Sequence, residues 1–376
     1  MIVGLQLENF RSYTSLQIQV PDTALVFLLG PNGAGKTNLL EAISLLGGGR
    51  GLRGARAQDL IQHGSANDPA WVINAEVSKP PLRHKISQAL RGDGRLARLN
   101  QKTTSGTKLG AIVPVVSLTP NDDALFRGPA EDRRALLDRF IIAMYPDHRS
   151  QLSAFNKALR ERNALLRQAQ QSDEPLSPTW LQALESQMAS HGVAIAYQRR
   201  VYLAQLASAV AQDQDLFPAA TLALEGEMEA ALGHQDATQL ESIWRERWAI
   251  ERGKDLAAGR TLNGPHRSDL LVLYKEKSMH AAQCSTGEQK ALLLSLFLGQ
   301  ARVLQAGGIR PLLLLDEVAA HLDAARRSAL MNALAALKTQ TWMTGTDRAM
   351  LIPPGFEDKS VVFELKHSTL RLGFLP

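Results

Sequence analysis

The apolar pattern along this chain changes period several times, and the changes mark out its parts. Near the start, Ile2-Val3-Gly4-Leu5-Gln6-Leu7 and Leu16-Gln17-Ile18-Gln19-Val20 alternate with a period of two, which predicts a hairpin of half-buried strands. Residues 24–29 form an unbroken apolar run, suited to a strand buried on both faces, and residues 38–43 read as a helix start. Short strands are expected at 70–77, 82–86 and 111–116, with a basic turn at Gly92-Asp93-Gly94. From Pro129 the period becomes helical, first through Leu136, Phe140 and Ile141, then through Leu152, Phe155, Leu159 and Leu166. A Pro-containing break at 172–178 interrupts it, and the pattern resumes from Leu181 to Val210. Two antiparallel helices joined by a Pro-capped turn are predicted, the second about 50 Å long at 1.5 Å per residue. Further on come strands at 221–224 and 270–274, a helix through Trp244 and Trp248, and a helix at 290–304.

Between the first buried strand and the first helix lies Gly30-Pro31-Asn32-Gly33-Ala34-Gly35-Lys36-Thr37. This fits the G-x-x-x-x-G-K-[ST] phosphate loop, in the strand–loop–helix context that the motif requires. Its glycines let backbone N–H groups turn inward toward phosphate oxygens, and the helix N-terminus adds partial positive charge. Lys36 is expected to reach the β- and γ-phosphates and Thr37 to hold Mg²⁺. Far downstream, Pro311-Leu312-Leu313-Leu314-Leu315-Asp316-Glu317 reads as a second buried strand ending in two acids. Asp316 is placed to hold Mg²⁺, and Glu317 to polarise the attacking water as general base. Cys284-Ser285-Thr286-Gly287-Glu288-Gln289 precedes an apolar helix, with the S-x-x-E spacing of a capping box. A helix N-terminus carrying a hydroxyl and a glycine can also grip a γ-phosphate supplied from elsewhere. Past Glu317, residues 318–323 lead through Leu322-Asp323 to another helix.

Charge adds one feature. The 376-residue chain carries +5 overall, but residues 50–108 hold eleven basic residues against four acids, so the remainder sums to −2. A basic segment beside a nucleotide site points to a polyanionic partner, with Arg91, Arg95 and Arg98 as candidate contacts to it. No apolar run approaches 18 residues, the N-terminus lacks a basic leader, and the single cysteine, Cys284, has no internal disulfide partner. These observations predict a cytoplasmic protein without a membrane association. His266 has no neighbour at ligand spacing and is not read as a metal ligand.

The order of phosphate loop, signature helix, Asp-Glu strand and Leu-Asp loop is that of an ABC-type ATPase. In detail the chain resembles the RecF family of bacterial DNA-repair ATPases, within the SMC-like branch. The resemblance is carried by Glu8-Asn9-Phe10-Arg11-Ser12-Tyr13, the phosphate loop, Arg133-Arg134-Ala135-Leu136-Leu137-Asp138, Gly264-Pro265-His266-Arg267-Ser268-Asp269, Ser285-Thr286-Gly287-Glu288-Gln289-Lys290 and Leu314-Leu315-Asp316-Glu317. It implies an α/β P-loop NTPase head built from residues 1–120 and 260–376, with an inserted helical lobe at 121–259. It also implies an ATP-dependent homodimer in which each phosphate loop faces Ser285 and Gly287 of the other copy, with Asp323 across the same interface. Proteins of this family bind single- and double-stranded DNA, favour gapped or junction substrates, hydrolyse ATP slowly, work with RecO and RecR, and help load RecA in gap repair and the SOS response. A Mg²⁺-contacting glutamine is implied near residues 118–122, where none stands. The alternatives are the energising subunit of a membrane transporter and an SMC-type structural ATPase. The first calls for a switch histidine, absent from Thr344-Gly345-Thr346-Asp347, and the second for longer heptad arms.

Overall fold

The structure is a computed structural model that describes residues 1–376 apart from 22, 63–69, 172–176, 214–216, 357–359, 367–368 and 374–376. The Pro-containing break therefore falls largely outside the described residues; after it, Ser177 caps the next helix through the Trp180 N–H. Two compact units emerge, one from residues 1–123, 213–218 and 285–376, the other from 124–212 and 219–284.

The first unit opens with β1 (Ile2–Phe10), β2 (Tyr13–Gln19), β3 (Leu25–Leu29) and α1 (Lys36–Leu45). Then follow β4 (Val72–Lys79), β5 (Leu82–Arg91), β6 (Gly94–Leu99), β7 (Lys102–Thr103), α2 (Gly106–Ile112) and β8 (Val115–Leu118). Residues 111–116 are thus not one strand. Ser105 caps a helix that runs to Ile112, and the strand begins only after Pro114.

The second unit holds α3 (Ala130–Met144), α4 (His148–Gln171), α5 (Pro178–Val210), β9 (Ala220–Glu225), α6 (Glu227–Ala231), α7 (Ala237–Ala258), β10 (Asp269–Tyr274) and β11 (Met279–His280). Helices α4 and α5 run antiparallel, since Gln151 meets His191 and Arg162 meets Glu185. Residues 260–284, expected to return to the head, stay in this unit. β10 pairs along its whole length with β9, from Asp269 opposite Glu225 to Tyr274 opposite Ala220, so the lobe has its own three-stranded sheet.

The chain returns to the first unit with α8 (Thr286–Ala306), β12 (Leu312–Leu315), α9 (Ala324–Ala336), β13 (Thr341–Gly345), α10 (Arg348–Leu351), β14 (Ser360–Lys366) and β15 (Thr369–Gly373). Its two six-stranded sheets run β2-β1-β4-β5-β6-β7, antiparallel, and β15-β14-β3-β13-β12-β8, parallel except for the β14–β15 pair. The continuous apolar runs became the central parallel strands: every residue of β3 and β12 is buried. The alternating strands became the antiparallel sheet, whose inward Leu5, Leu7 and Ile73 join Leu39 and Ile43 of α1 and Val26 and Leu314 of the parallel sheet in one core. Burying so many aliphatic side chains, at about 25 cal/mol per Å² of apolar surface, anchors α1 between the sheets. Parallel β3 and β12 end on the same side, so topology carries residue 30 and residue 316 to one edge.

Candidate active site

The phosphate loop leaves β3 at Gly30 and enters α1 at Lys36. Close approach fixes two of its glycines. A β-carbon on Gly30 would lie 2.5 Å from the Leu365 carbonyl, and one on Gly35, whose φ is +100°, would lie 2.8 Å from the Tyr13 hydroxyl. Gly35 is also the N-cap of α1, and it offers no side chain to the first-turn amides. By contrast α8 and α9 are capped by Ser285 and Asp323. The first turn of α1 is the end that leaves its N–H groups for an anion. Pro31, Asn32 and Gly33 form the exposed rim, and Ala34 is buried beneath it.

Lys36 is buried, and its ammonium donates to the carbonyls of Gly30 at 2.6 Å and Pro31 at 3.0 Å. Burial pushes its pKa below the usual lysine range, against the upward pull of Glu317 and Asp316. The Thr37 hydroxyl donates to Asp316 Oδ1 at 3.1 Å, and the Thr344 hydroxyl donates to the same oxygen at 2.7 Å. Thr344 in turn accepts the Glu317 N–H at 2.8 Å, while the Asp316 N–H donates to the Leu118 carbonyl at 2.9 Å. Glu317 takes a left-handed conformation, φ +53°, at the strand's end and is half-buried. For a residue with a β-carbon this is a strained conformation, held here by Thr344. Lys36, Thr37, Asp316 and Glu317 therefore converge. The uncapped turn and the Thr37–Asp316 pair fit a magnesium–triphosphate: Thr37 and Asp316 would hold Mg²⁺, and the loop amides and Lys36 the phosphates.

The contacts that several supporting residues make were not legible in the sequence. The Tyr13 hydroxyl donates to the Gly35 carbonyl at 2.9 Å, and burial holds this phenol protonated, above the usual tyrosine range. Asn38 donates to Ser12 Oγ at 2.9 Å. Arg11, with φ +54° in the β1–β2 turn, meets the fully buried Glu41 of α1 through two bonds of 2.9 and 3.0 Å. The first hairpin thus clamps the loop and its helix. Thr344 stands where a transporter's switch histidine was sought; the only sequence signal was a polar residue ending a buried strand.

Ser285, Gly287 and Asp323 form a second group. Ser285 closes a full capping box with Glu288, its N–H donating to Glu288 Oε2 at 2.9 Å. Asp323 caps α9 by accepting the Arg326 N–H at 2.8 Å and faces the Arg326 guanidinium at 3.7 Å. A β-carbon on Gly287 would lie 4.0 Å from an Arg326 guanidinium nitrogen. Gly287 and Asp323 both adjoin Arg326, with Ser285 two positions earlier at the start of α8, whereas Lys36 and Thr37 meet loop carbonyls and Asp316.

The three arginines do not act as one patch. Arg91 and Arg98 are exposed, but Arg95 lies on the inward face of β6 beside Ala97, and its guanidinium donates to the Gly49 carbonyl at 2.6 Å. Strand alternation is the reason, since positions 95 and 98 must point to opposite faces.

Fold and site together define the ABC-type P-loop ATPase fold. Comparison with known proteins narrows this. Residues 1–354 match the RecF/RecN/SMC N terminal domain family. A DNA replication and repair protein RecF from Mesorhizobium japonicum is 45% identical over 357 residues, covering 93% of this chain and 92% of the relative. Among solved structures, the recombination mediator protein RecF-ATPrS in the RecFOR pathway superposes with TM-score 0.86 at 22% identity, covering 99% of this chain and 98% of that one. The Smc head domain from Pyrococcus furiosus, bound to the C-terminal domain of ScpA, gives TM-score 0.54 at 17% identity, covering 100% of this chain and 96% of that one. The chain belongs to the RecF family.

Proposed function

We propose that this chain is an ATP-dependent DNA-binding repair protein that dimerises on gapped or junction DNA, hydrolyses ATP slowly and promotes recombinase loading. The observation that carries the reading is the division of the site into two groups. Lys36, Thr37, Asp316 and Glu317 gather at one edge of the parallel sheet, while Gly287 and Asp323 flank Arg326 and Ser285 caps α8, at two helix N-termini. In a homodimer the second group of one copy faces the phosphate loop of the other, so ATP acts as interface glue. The exposed Gly287 and the N-terminus of α8 then supply N–H groups to a γ-phosphate. Mg²⁺, when bound, offsets phosphate charge. Lys36 exchanges its carbonyl partners for phosphate oxygens. Asp316 is held in place by Thr344, and Glu317, its backbone pinned by the same hydroxyl, takes a proton from water. The relatives are named DNA replication and repair proteins, which supports DNA as the polyanion; RecO, RecR and RecA are the partners the family resemblance implies. Among the described residues no helix is long and apolar enough to cross a membrane, in keeping with cytoplasmic work on DNA.

Sedimentation of wild type and Lys36→Met with gapped duplex DNA, with and without ATP, tests this. Wild type is expected to dimerise only with ATP and Lys36→Met to stay monomeric. A wild type that remains monomeric with ATP, or a variant that dimerises equally well, sinks the glue mechanism.

A further inference from the structure

At the opposite edge of the parallel sheet from the phosphate loop, a cleft of about 490 Å³ opens where β8, β12 and β13 begin. Its rim carries Lys79, Arg310 and Lys338, all exposed, and among the described residues no Asp or Glu lines it. Lys79 donates to the Ala111 carbonyl at 3.1 Å, and among the described residues the Arg310 and Lys338 side chains have no hydrogen bond or ion pair. Between the cations the lining is aliphatic, with Ile112 and Ile309 half-buried and Pro311 buried. Arg310 and Lys338 follow the C-terminal ends of α8 and α9, where a helix favours cations in any protein. That preference does not account for Lys79, the missing acids or the apolar floor.

We infer that this cleft docks an acidic segment of a protein partner, with carboxylates meeting Lys79, Arg310 and Lys338 around an apolar side chain seated on Ile112, Ile309 and Pro311. Charge complementarity sets the sign of the partner, since three cations without a counter-charge raise a local positive potential. Size and lining set its class. A recess of this volume takes a few side chains and is far too small for a duplex. Among the described residues no Phe, Tyr or Trp lines it, so it lacks the stacking surface on which single-stranded nucleic acid rests. A peptide that alternates acidic and apolar residues satisfies both rim and floor.

The probe is a fluorescein-labelled decapeptide of alternating Asp and Leu, compared by anisotropy with an Asn–Leu decapeptide and with oligothymidine, on the full chain without nucleotide. Wild type should bind the Asp–Leu peptide at least tenfold more tightly than the Asn–Leu peptide. Lys79→Ala/Arg310→Ala/Lys338→Ala should weaken that binding at least tenfold. Arg310→Glu/Lys338→Glu should instead prefer a Lys–Leu peptide, a gain that misfolding cannot mimic. Equal affinity for the Asp–Leu and Asn–Leu peptides, or undiminished binding in the triple variant, overturns the proposal. A triple variant that loses only oligothymidine binding also overturns it and assigns the cleft to nucleic acid.

Discussion

Lys36 in the first unit and Arg162 in the second are both buried cations, yet their surroundings differ in kind. Arg162 is spent. It donates to Glu185, Asp255, Thr261 and the Trp248 carbonyl, with bonds between 2.6 and 3.3 Å. Arg199, farther along α5, grips Asp138 through two bonds of 2.9 and 2.8 Å and also the Pro265 carbonyl. The Gly264–Asp269 motif is drawn into the same lattice: Arg134 donates to the Ser268 carbonyl, and Arg133 grips Asp269. Burial pushes His266 down to about 4, against a raising hydrogen bond to the Thr261 carbonyl, so the ring is neutral at pH 7. Lys36, by contrast, holds two backbone carbonyls that a phosphate can displace. The lobe uses buried charge to lock helices to a loop; the head keeps buried charge in exchangeable bonds. A satisfied buried pair orders structure, and an under-committed one is poised for a ligand.

The sharpest way to break this contrast is Glu317→Gln. On the proposed reading, hydrolysis falls by roughly 10²–10⁴, the range for loss of a general base, while ATP-driven dimerisation persists. Phosphate release and sedimentation on the same sample check both halves. Hydrolysis within threefold of wild type would remove Glu317 from the chemistry.

Arg162→Met probes the other side. Removing one member of a buried, hydrogen-bonded cluster leaves Asp255 without its guanidinium and Glu185 with Arg252 alone, and is expected to cost about 3–5 kcal/mol. Urea unfolding of the full chain reads the loss. A change under about 1 kcal/mol would mean that the lattice is held by packing rather than by charge.

Acid should unlock the same lattice. Asp138 feels burial raising its pKa, but the Arg199 guanidinium and His148 overcome this and leave it at about 2, below the ordinary aspartate value of 3.8. A depressed carboxylate stabilises above its unfolded pKa and loses that contribution as pH falls through the folded one. The window is therefore pH 4 down to 2, and the amount is about 2 kcal/mol. The stability gap between wild type and Asp138→Asn should narrow by that much from pH 5 to pH 2. A gap that stays constant would contradict the assignment.

What the sequence disclosed divides along the same line. The phosphate loop and the Asp-Glu strand were legible because each is local: spacing, a buried run and a helix start suffice. Tyr13, Glu41 and Thr344 were not, because their roles come from contacts made across the fold; Thr344 reaches Asp316 across 28 positions. The β9–β10 ladder joins Asp269 to Glu225, and period two announces a strand without naming its partner. That ladder is why 260–284 belongs to the lobe rather than to the head.

The smallest effect expected separates Arg98 from Arg95, three positions apart on β6. Arg98 faces outward with Ser87 across the ladder and lines a trough of about 440 Å³ with Lys85, Gln6, Asn74 and one acid, Glu76. Arg95 faces inward and holds the Gly49 carbonyl beyond α1. If the trough carries DNA phosphate, Arg98→Ala lowers the slope of log affinity against log salt by about 0.7–0.9 and leaves nucleotide affinity alone. Arg95→Ala leaves that slope unchanged and acts on the glycine loop at residues 47–49, so it disturbs nucleotide binding instead. Salt titrations of DNA affinity beside ATP titrations of both variants distinguish the two faces. An unchanged slope in Arg98→Ala would send the DNA to another surface of the head, while the inward role of Arg95 would stand on its own hydrogen bond.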